Sequence, residues 1–356
     1  MGNLLIFPVT DDCEFLLVNE KGQGSNDGDC ATFLATSEKF SEKFGQAVDR
    51  LPFIHEDDFL TELQKYLHKN KIKRVFSPVL AVHRFLERAS ADMLIDVKMA
   101  TESPLDQQAT RYKNLIRKSI KVRQVLDGLG LDAGLAPMEL AALIQYVSGI
   151  YGESSLEKIG ALIGVCASGV KGDVLEIGSL VGKSASVLSY MSARMSVGNF
   201  LSIDPWNETA AVQKDSPELV QDLSRGLDYD MLHSLFIVNL MLTNRGHSNY
   251  FRRTSEEAFL CYKPSWEVSS LELGKTTYTG QASIIHIDGN HDYEHVRFDI
   301  ENWGGKLAPG GWIIIDDYLW SHGCGPKVAG DEYLRANLES IEMAFVADKS
   351  LFLRFR

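Results

Sequence analysis

An apolar run that ends in a glycine turn, Gly172-Asp-Val-Leu-Glu-Ile-Gly-Ser-Leu-Val-Gly-Lys-Ser184, constrains the fold of this chain more than any other stretch. A strand that feeds a Gly-rich turn and then a helix is how parallel α/β sheets build a nucleotide site. Two further runs share the pattern: Ile284-Ile-His-Ile-Asp-Gly-Asn-His-Asp-Tyr293 and Trp312-Ile-Ile-Ile-Asp-Asp-Tyr318. Each is a β run that ends in acids. Asp288, Asp316 and Asp317 are thereby expected at one sheet edge, and converging oxygen ligands suit a hard divalent cation. The pattern implies a nucleotide-like cofactor and a metal side by side.

At 356 residues the chain is long for one domain. From about residue 151, strand and helix signals alternate, as a parallel sheet requires. The strands are expected at Val174–Ile177, Phe200–Ile203, Asn249–Arg252, Ser283–Ile287 and Trp312–Ile315, and a hairpin turning at Asp348-Lys349 closes the chain. Residues 1–100 read as a smaller α/β unit. Strands are expected there at Leu4–Val9, Phe15–Val18, Arg74–Val79 and Met93–Val97, with a helix over Glu56–Lys71. Glu20–Asp29 is rich in turn formers and reads as an exposed loop. Residues 101–150 read as a helical linker.

The net charge of −12 argues against non-specific nucleic-acid binding, which needs a basic surface. A local basic run from Arg111 to Arg123 fits the solvated face of a helix. Five scattered cysteines without a CxxC pair suit a reducing compartment and no zinc ribbon. No apolar run is long enough for a membrane span, and the start lacks a basic signal region. The cytoplasm is the expected location. The sequence allows a homo-oligomer as well as a monomer.

The first turn is neither of two familiar phosphate loops. Gly178-Ser-Leu-Val-Gly-Lys-Ser184 is one residue short of a Walker A loop, and it is not GxGxxG. Glu176, just ahead of Gly178, would repel a phosphate and welcome a cationic or hydroxyl-bearing ligand. Asp204 ends the next strand, where it can accept both hydroxyls of a ribose.

Val174-Leu-Glu-Ile-Gly-Ser-Leu-Val-Gly-Lys-Ser resembles motif I of class I S-adenosylmethionine-dependent methyltransferases. The resemblance is to the variant in catechol O-methyltransferase-like and macrocin O-methyltransferase-like enzymes. The run from Ile287 to Val296, then Pro309-Gly-Gly-Trp-Ile-Ile-Ile-Asp-Asp-Tyr318, is similar to the macrocin-type and cephalosporin-hydroxylase-like group. It covers about 151–356 and implies a Rossmann-like sheet with a C-terminal antiparallel hairpin. The resemblance further implies that Glu176, Gly178, Ser179 and Gly182 line the methionine end of S-adenosylmethionine. Asp204 would hold the ribose, Thr254 and Ser255 would sit near the adenine, and Trp206 would either close over the cofactor or staple the long insertion. Asp288, Asp316 and Asp317 match a metal triad for Mg²⁺ or Mn²⁺.

Some macrocin-type enzymes carry a second Asp two residues after the first metal ligand. This chain has Asn290 there, which cannot take a proton. His291 follows and is expected as general base, with Asp292 as the next helix cap. His286, inside a strand, reads as buried structure. The insertions 207–249 and 261–281 are expected to shape a pocket for a small-molecule hydroxyl acceptor. The reading is O-methyl transfer to a sugar or similar molecule. Its rivals are a cephalosporin-hydroxylase-like chemistry, a cofactor-binding scaffold and a P-loop NTPase.

Overall fold

The computed structural model describes residues 2–13, 31–39, 42–43 and 45–356. The strand expected at Phe15–Val18 and the loop Glu20–Asp29 lie outside the described residues. The chain divides into two compact units, Met1–Asn114 and Leu115–Arg356.

The first unit is a five-stranded parallel sheet. Its strands are β1 (Asn3–Ile6), β2 (Thr32–Thr36), β3 (Asp49–Arg50), β4 (Ile72–Phe76) and β5 (Lys98–Met99), in the order β3-β2-β1-β4-β5. β1 stops at Ile6, two residues ahead of Pro8, which has no N–H to give a ladder. Helix α1 (Phe59–Lys69) buries Phe59, Leu63 and Leu67, the stripe its periodicity requires. Met93–Val97 is not a strand. Met93 takes a left-handed φ of 57° at the end of α2 (Leu80–Ala91), and the Leu94 amide bonds back to the Ala89 carbonyl. That turn uses the residues the strand would have needed.

The second unit begins within α3 (Pro104–Leu129). α3, α4 (Pro137–Ser148) and α5 (Leu156–Ala167) are core helices. Val122, Leu126, Leu140, Leu143, Ile144 and Val147 share one apolar cluster with Val174, Ile284 and Trp312 of the sheet. Residues 115–150 are therefore part of this unit's core instead of a free-standing linker.

The sheet follows: β6 (Asp173–Ile177), α6 (Lys183–Arg194), β7 (Phe200–Ile203), α7 (Glu208–Ala211), α8 (Glu218–Leu223), α9 (Tyr229–Met241), β8 (Ser248–Phe251) and α10 (Ser255–Cys261). Then come β9 (Trp266–Ser270), β10 (Gly274–Tyr278), β11 (Ala282–Ile287), α11 (Tyr293–Gly304), β12 (Leu307–Ile315), α12 (Gly325–Ala336), β13 (Ile341–Ala347) and β14 (Ser350–Phe355). β9 and β10 form their own two-stranded ladder. The main sheet runs β8-β7-β6-β11-β12-β14-β13. Its first five strands are parallel, and β14 and β13 are antiparallel to their neighbours. This is the Rossmann-like sheet with a C-terminal hairpin that the sequence implied. The chain leaves β6 toward β7 and β8, then crosses to β11 on the other side. That reversal opens a crevice at the carboxyl ends of β6 and β11, where such sheets bind ligands. No described helix is long and apolar enough to cross a membrane.

Candidate active site

Gly178 shows why the first turn is built from glycine. Its φ is +80°, and a Cβ there would come within 2.1 Å of the Asp288 carbonyl oxygen. Only a bare backbone lets the β6 turn lie against the end of β11. Gly182 has φ +88° and starts α6. Asp204, after β7, holds the loop from the other side. Its Oδ2 accepts the N–H groups of Ser179 (2.9 Å) and Leu180 (3.2 Å), and Oδ1 accepts that of Trp206 (2.7 Å). Three of the roughly four lone-pair sites of a carboxylate are thus used. As placed, Asp204 has capacity for about one ligand hydroxyl, not the two expected of it. Burial pushes its carboxyl upward against these three bonds.

Trp206 is a brace of this loop. Its indole N–H donates to the Leu180 carbonyl at 2.7 Å, and its ring packs on Phe236 and His233. It is buried while still bordering the cavity. Leu180, Trp206, Asp317 and Asp348 all have positive φ without being glycine, and all four line the same cavity. Backbone conformations this uncommon gather at binding sites because only the surrounding structure holds them.

Glu176 does not line the cavity as expected. It is 0 % exposed, points into the sheet, and accepts the Ser179 hydroxyl at 2.6 Å. Its other oxygen faces Nδ1 of His286 at 3.0 Å, and His286 is itself fully buried. Glu176 therefore acts on the loop through Ser179. His286 Nε2 has no hydrogen-bond partner among the described residues and lies 3.8 Å from Asp288 Oδ2.

The three aspartates do gather at the ends of β11 and β12. Two basic groups come with them. Lys158, from α5, is 2 % exposed and donates to Asp288 Oδ2 at 3.1 Å and to Asp316 Oδ2 at short range. Ser350 donates to Asp316 Oδ1. Asp317 lies between His291 Nε2 (3.2 Å, to Oδ2) and Lys349 Nζ (3.3 Å, to Oδ1). Burial alone would drive the Lys158 ammonium down, but the two carboxylates outweigh it and hold the group above its usual range. Burial and repulsion from Asp316 push Asp288 well up, while Lys158 outweighs burial and holds Asp316 down.

This arrangement is a poor fit to Mg²⁺ or Mn²⁺. Five of the six carboxylate oxygens already face an ammonium, a hydroxyl or an imidazole. Among the described residues, ligand atoms within 4.8 Å of one another occur as His286–Asp288–Asp316 and as Asp288–His291–Asp317, not as the three aspartates together. Mg²⁺ demands near-octahedral oxygen with its own waters. Here an ammonium holds the point shared by Asp288 and Asp316. The metal expected from the acid pattern does not fit the site as it is built.

His291 sits beside this cluster, mostly buried, with its ring 4.5 Å from that of Trp320. Asp317 Oδ2 lies 3.2 Å from Nε2, and Nδ1 is buried with no partner among the described residues. Burial holds the imidazole below its ordinary pKa, against the pull of Asp317 and Asp316. Asn290 is a structural donor. Its amide gives hydrogen bonds to the carbonyls of Ala210 and Val212, both at 2.9 Å, and its Oδ1 accepts the Asp292 N–H. An aspartate could not donate to those carbonyls. Asp292 occupies the N-cap position of α11 but makes no cap bond. Its oxygens accept the Lys214 and Asp215 amides, so Asn290 and Asp292 together tie the 207–215 insertion to β11.

The site opens on a cavity of about 470 Å³ within the second unit. That is within the usual size of small-molecule sites. Ser179, Asp204, Trp206, Thr254, Ser255 and His291 all border it. Thr254 spends its hydroxyl in the capping box of α10, and Ser255 is bonded to Asp299 and to the Trp303 indole N–H. The insertion from Asn207 through α9 supplies a wall. Residues 261–281 contribute none of the lining and pair as the β9–β10 ladder. Sequence reasoning missed Lys158, Lys349 and Asp299. Lys158 had one visible signal, a lysine that with Glu157 heads the otherwise apolar helix Leu156–Ala167.

Residues 175–318 match the family described as "Methyltransferase domain". The chain is 30% identical over 155 residues to the 8-demethyl-8-(2,3-dimethoxy-alpha-L-rhamnosyl)-tetracenomycin-C 4'-O-methyltransferase of Streptomyces olivaceus. That alignment covers 43% of this chain and 56% of the relative, so the chain spans about half the length of the curated protein it matches. Similar solved structures include the O-methyltransferase NovP, with TM-score 0.42, 14% identity, and coverage of 67% of this chain and 99% of that one. Another is the calicheamicin methyltransferase CalS11, with TM-score 0.39, 12% identity, and coverage of 67% and 91%.

Proposed function

We propose that this chain, whose residues 175–318 match a methyltransferase-domain family, is a class I S-adenosylmethionine-dependent O-methyltransferase acting on a sugar hydroxyl. One observation carries the reading. The glycine turn with Asp204 and the His291–Asp317 pair border the same cavity, so a cofactor cradle and an imidazole–carboxylate pair share one space. The rhamnosyl substrate in the relative's name supports a sugar as the acceptor class.

The cradle fits S-adenosylmethionine. Its loop backbone is bare at Gly178 and Gly182, and Asp204 offers a remaining lone pair at the wall. Bound there, S-adenosylmethionine supplies an activated methyl group on a sulfonium. The residues of the chain do the rest. Ser179, Asp204 and Trp206 hold the loop, and Thr254 and Ser255 border the far side of the cavity. His291 removes the acceptor's proton, and Asp317 stabilises the imidazolium that forms. A positioned base of this kind is worth about 10²–10⁴-fold in rate. The α7–α9 insertion, pinned by Asn290 and Asp292, shapes the acceptor side.

The test is transfer of labelled methyl from S-adenosylmethionine to a panel of nucleotide sugars and glycosylated small molecules. Label recovered as a sugar methyl ether, and lost in His291→Ala, supports the reading. Cofactor binding without transfer to any hydroxyl, together with a different product, would instead favour the cephalosporin-hydroxylase-like alternative.

A further inference from the structure

We propose that Lys158 is the resident cation of this site, standing where the acid pattern calls for a divalent ion, and that the cluster works without a metal. The proposal deepens the reading above and rests on it for the identity of the cavity.

Four observations carry it. Lys158 is 2 % exposed on a helix whose other buried residues are apolar or small. An ammonium in such a place is strongly unfavourable unless it is paired, and here the pairing is with Asp288 and Asp316, the two acids at neighbouring strand ends. Second, the helix that carries it is fixed at its start. The Ser155 hydroxyl accepts the Lys158 N–H, and the Ser155 N–H donates to Asp348 in the β13–β14 turn. Third, the same turn sends Lys349 to Asp317 and to Glu153, so the third acid also has its own cation. Three carboxylates and two ammonium groups leave little charge for a divalent ion to neutralise. Fourth, an ammonium has three N–H donors, and two are used. The third belongs to a residue that borders the cavity. Lys158 thus balances the acids and leaves one donor for an acceptor oxygen. It is a positioning residue, set so that Asp288 and Asp316 keep one arrangement while His291 takes the proton.

The test needs no substrate. The wild-type chain is dialysed against EDTA, returned to metal-free buffer, and titrated with Mn²⁺ by electron paramagnetic resonance. S-adenosylmethionine binding is followed by calorimetry in the same buffer. The expected result is no stoichiometric Mn²⁺ site in the wild type. Lys158→Ala vacates the shared point and should gain one Mn²⁺ per chain, lost again in Lys158→Ala/Asp288→Asn. If Lys158→Ala fails to fold by circular dichroism, Lys158→Gln, which keeps two N–H donors but no charge, is read in the same titration. A wild-type chain that binds one Mn²⁺ with micromolar affinity, abolished by Asp288→Asn, overturns the proposal. So does a folded Lys158 variant that takes up none. The calorimetry separates the two readings. Absence of S-adenosylmethionine binding counts against the methyltransferase assignment, whatever the Mn²⁺ result.

Discussion

His291 Nε2 lies 3.2 Å from the Oδ2 of Asp317, a residue held at a φ of +50°. The carboxylate gives the imidazole a counter-charge for the proton it takes up. His291→Ala should lower kcat by about 10²–10⁴-fold and leave cofactor affinity nearly unchanged. Because burial depresses the imidazole's pKa, the neutral base persists to lower pH than for a free histidine. Log kcat should therefore rise with pH along a limb below the ordinary histidine value, and the variant should lack that limb. A variant with the wild-type rate and limb removes His291 from the chemistry.

Asn290→Asp tests whether the residue at this position is a spare base or a tether. The substitution loses two donors and sets a carboxylate against the Ala210 and Val212 carbonyls. A loss of about 1–3 kcal/mol in urea unfolding is expected. Proteolysis within 207–215 should also become faster, with no gain in kcat. Higher turnover in this variant would show that a carboxylate base is welcome there.

Asp204→Ala should act twice. It frees three amides of the cofactor loop, and it removes the acceptor at the cavity wall. S-adenosylmethionine affinity should fall about 10–100-fold, the scale of a charged hydrogen bond. The melting temperature should fall with it. Calorimetry and a thermal melt read the two effects separately. Unchanged affinity would take Asp204 out of the site.

Asp299 supplies a pH test. Burial is the main cause that pushes its carboxyl up to about 7, partly offset by the Ser255 hydroxyl. In the unfolded chain the value is about 3.9. Between those two values the folded state binds the extra proton, so this group makes stability fall as pH rises from about 4 to about 7, and the penalty then stays constant. Asp299→Asn keeps the acceptor for Ser255 and never ionises. Relative to wild type it should gain stability as pH rises through that window, by an amount on the order of a few kcal/mol. Equal melting curves at pH 5 and pH 8 would mean that Asp299 titrates normally.

Much of the second unit was legible because its strands are β-rich, largely apolar runs that stop at glycine or acid. Val174–Ile177, Ile284–Ile287 and Trp312–Ile315 leave little choice of element, and the glycines at 178 and 182 mark the turn. Side-chain partners were not legible. Lys158 and Asp288 are 130 positions apart and meet only once α5 packs on the sheet. Glu176 reads as a ligand group from its place before the turn, yet strand alternation turns it into the sheet toward His286. In α3 only Ser119, Val122 and Leu126 are buried, so the helix carries too few apolar positions to mark its core face, which made a core segment look like a connector. The three acids do gather at neighbouring strand ends, but an acid cluster in sequence does not say which cation answers it.

The most direct measurement of the central claim is calorimetric titration of the metal-free chain with S-adenosylmethionine, with ATP as control. The account predicts one S-adenosylmethionine per chain, binding that persists in EDTA, weakening in Asp204→Ala, and no heat with ATP. Failure to bind S-adenosylmethionine, or saturable binding of ATP in its place, would contradict it.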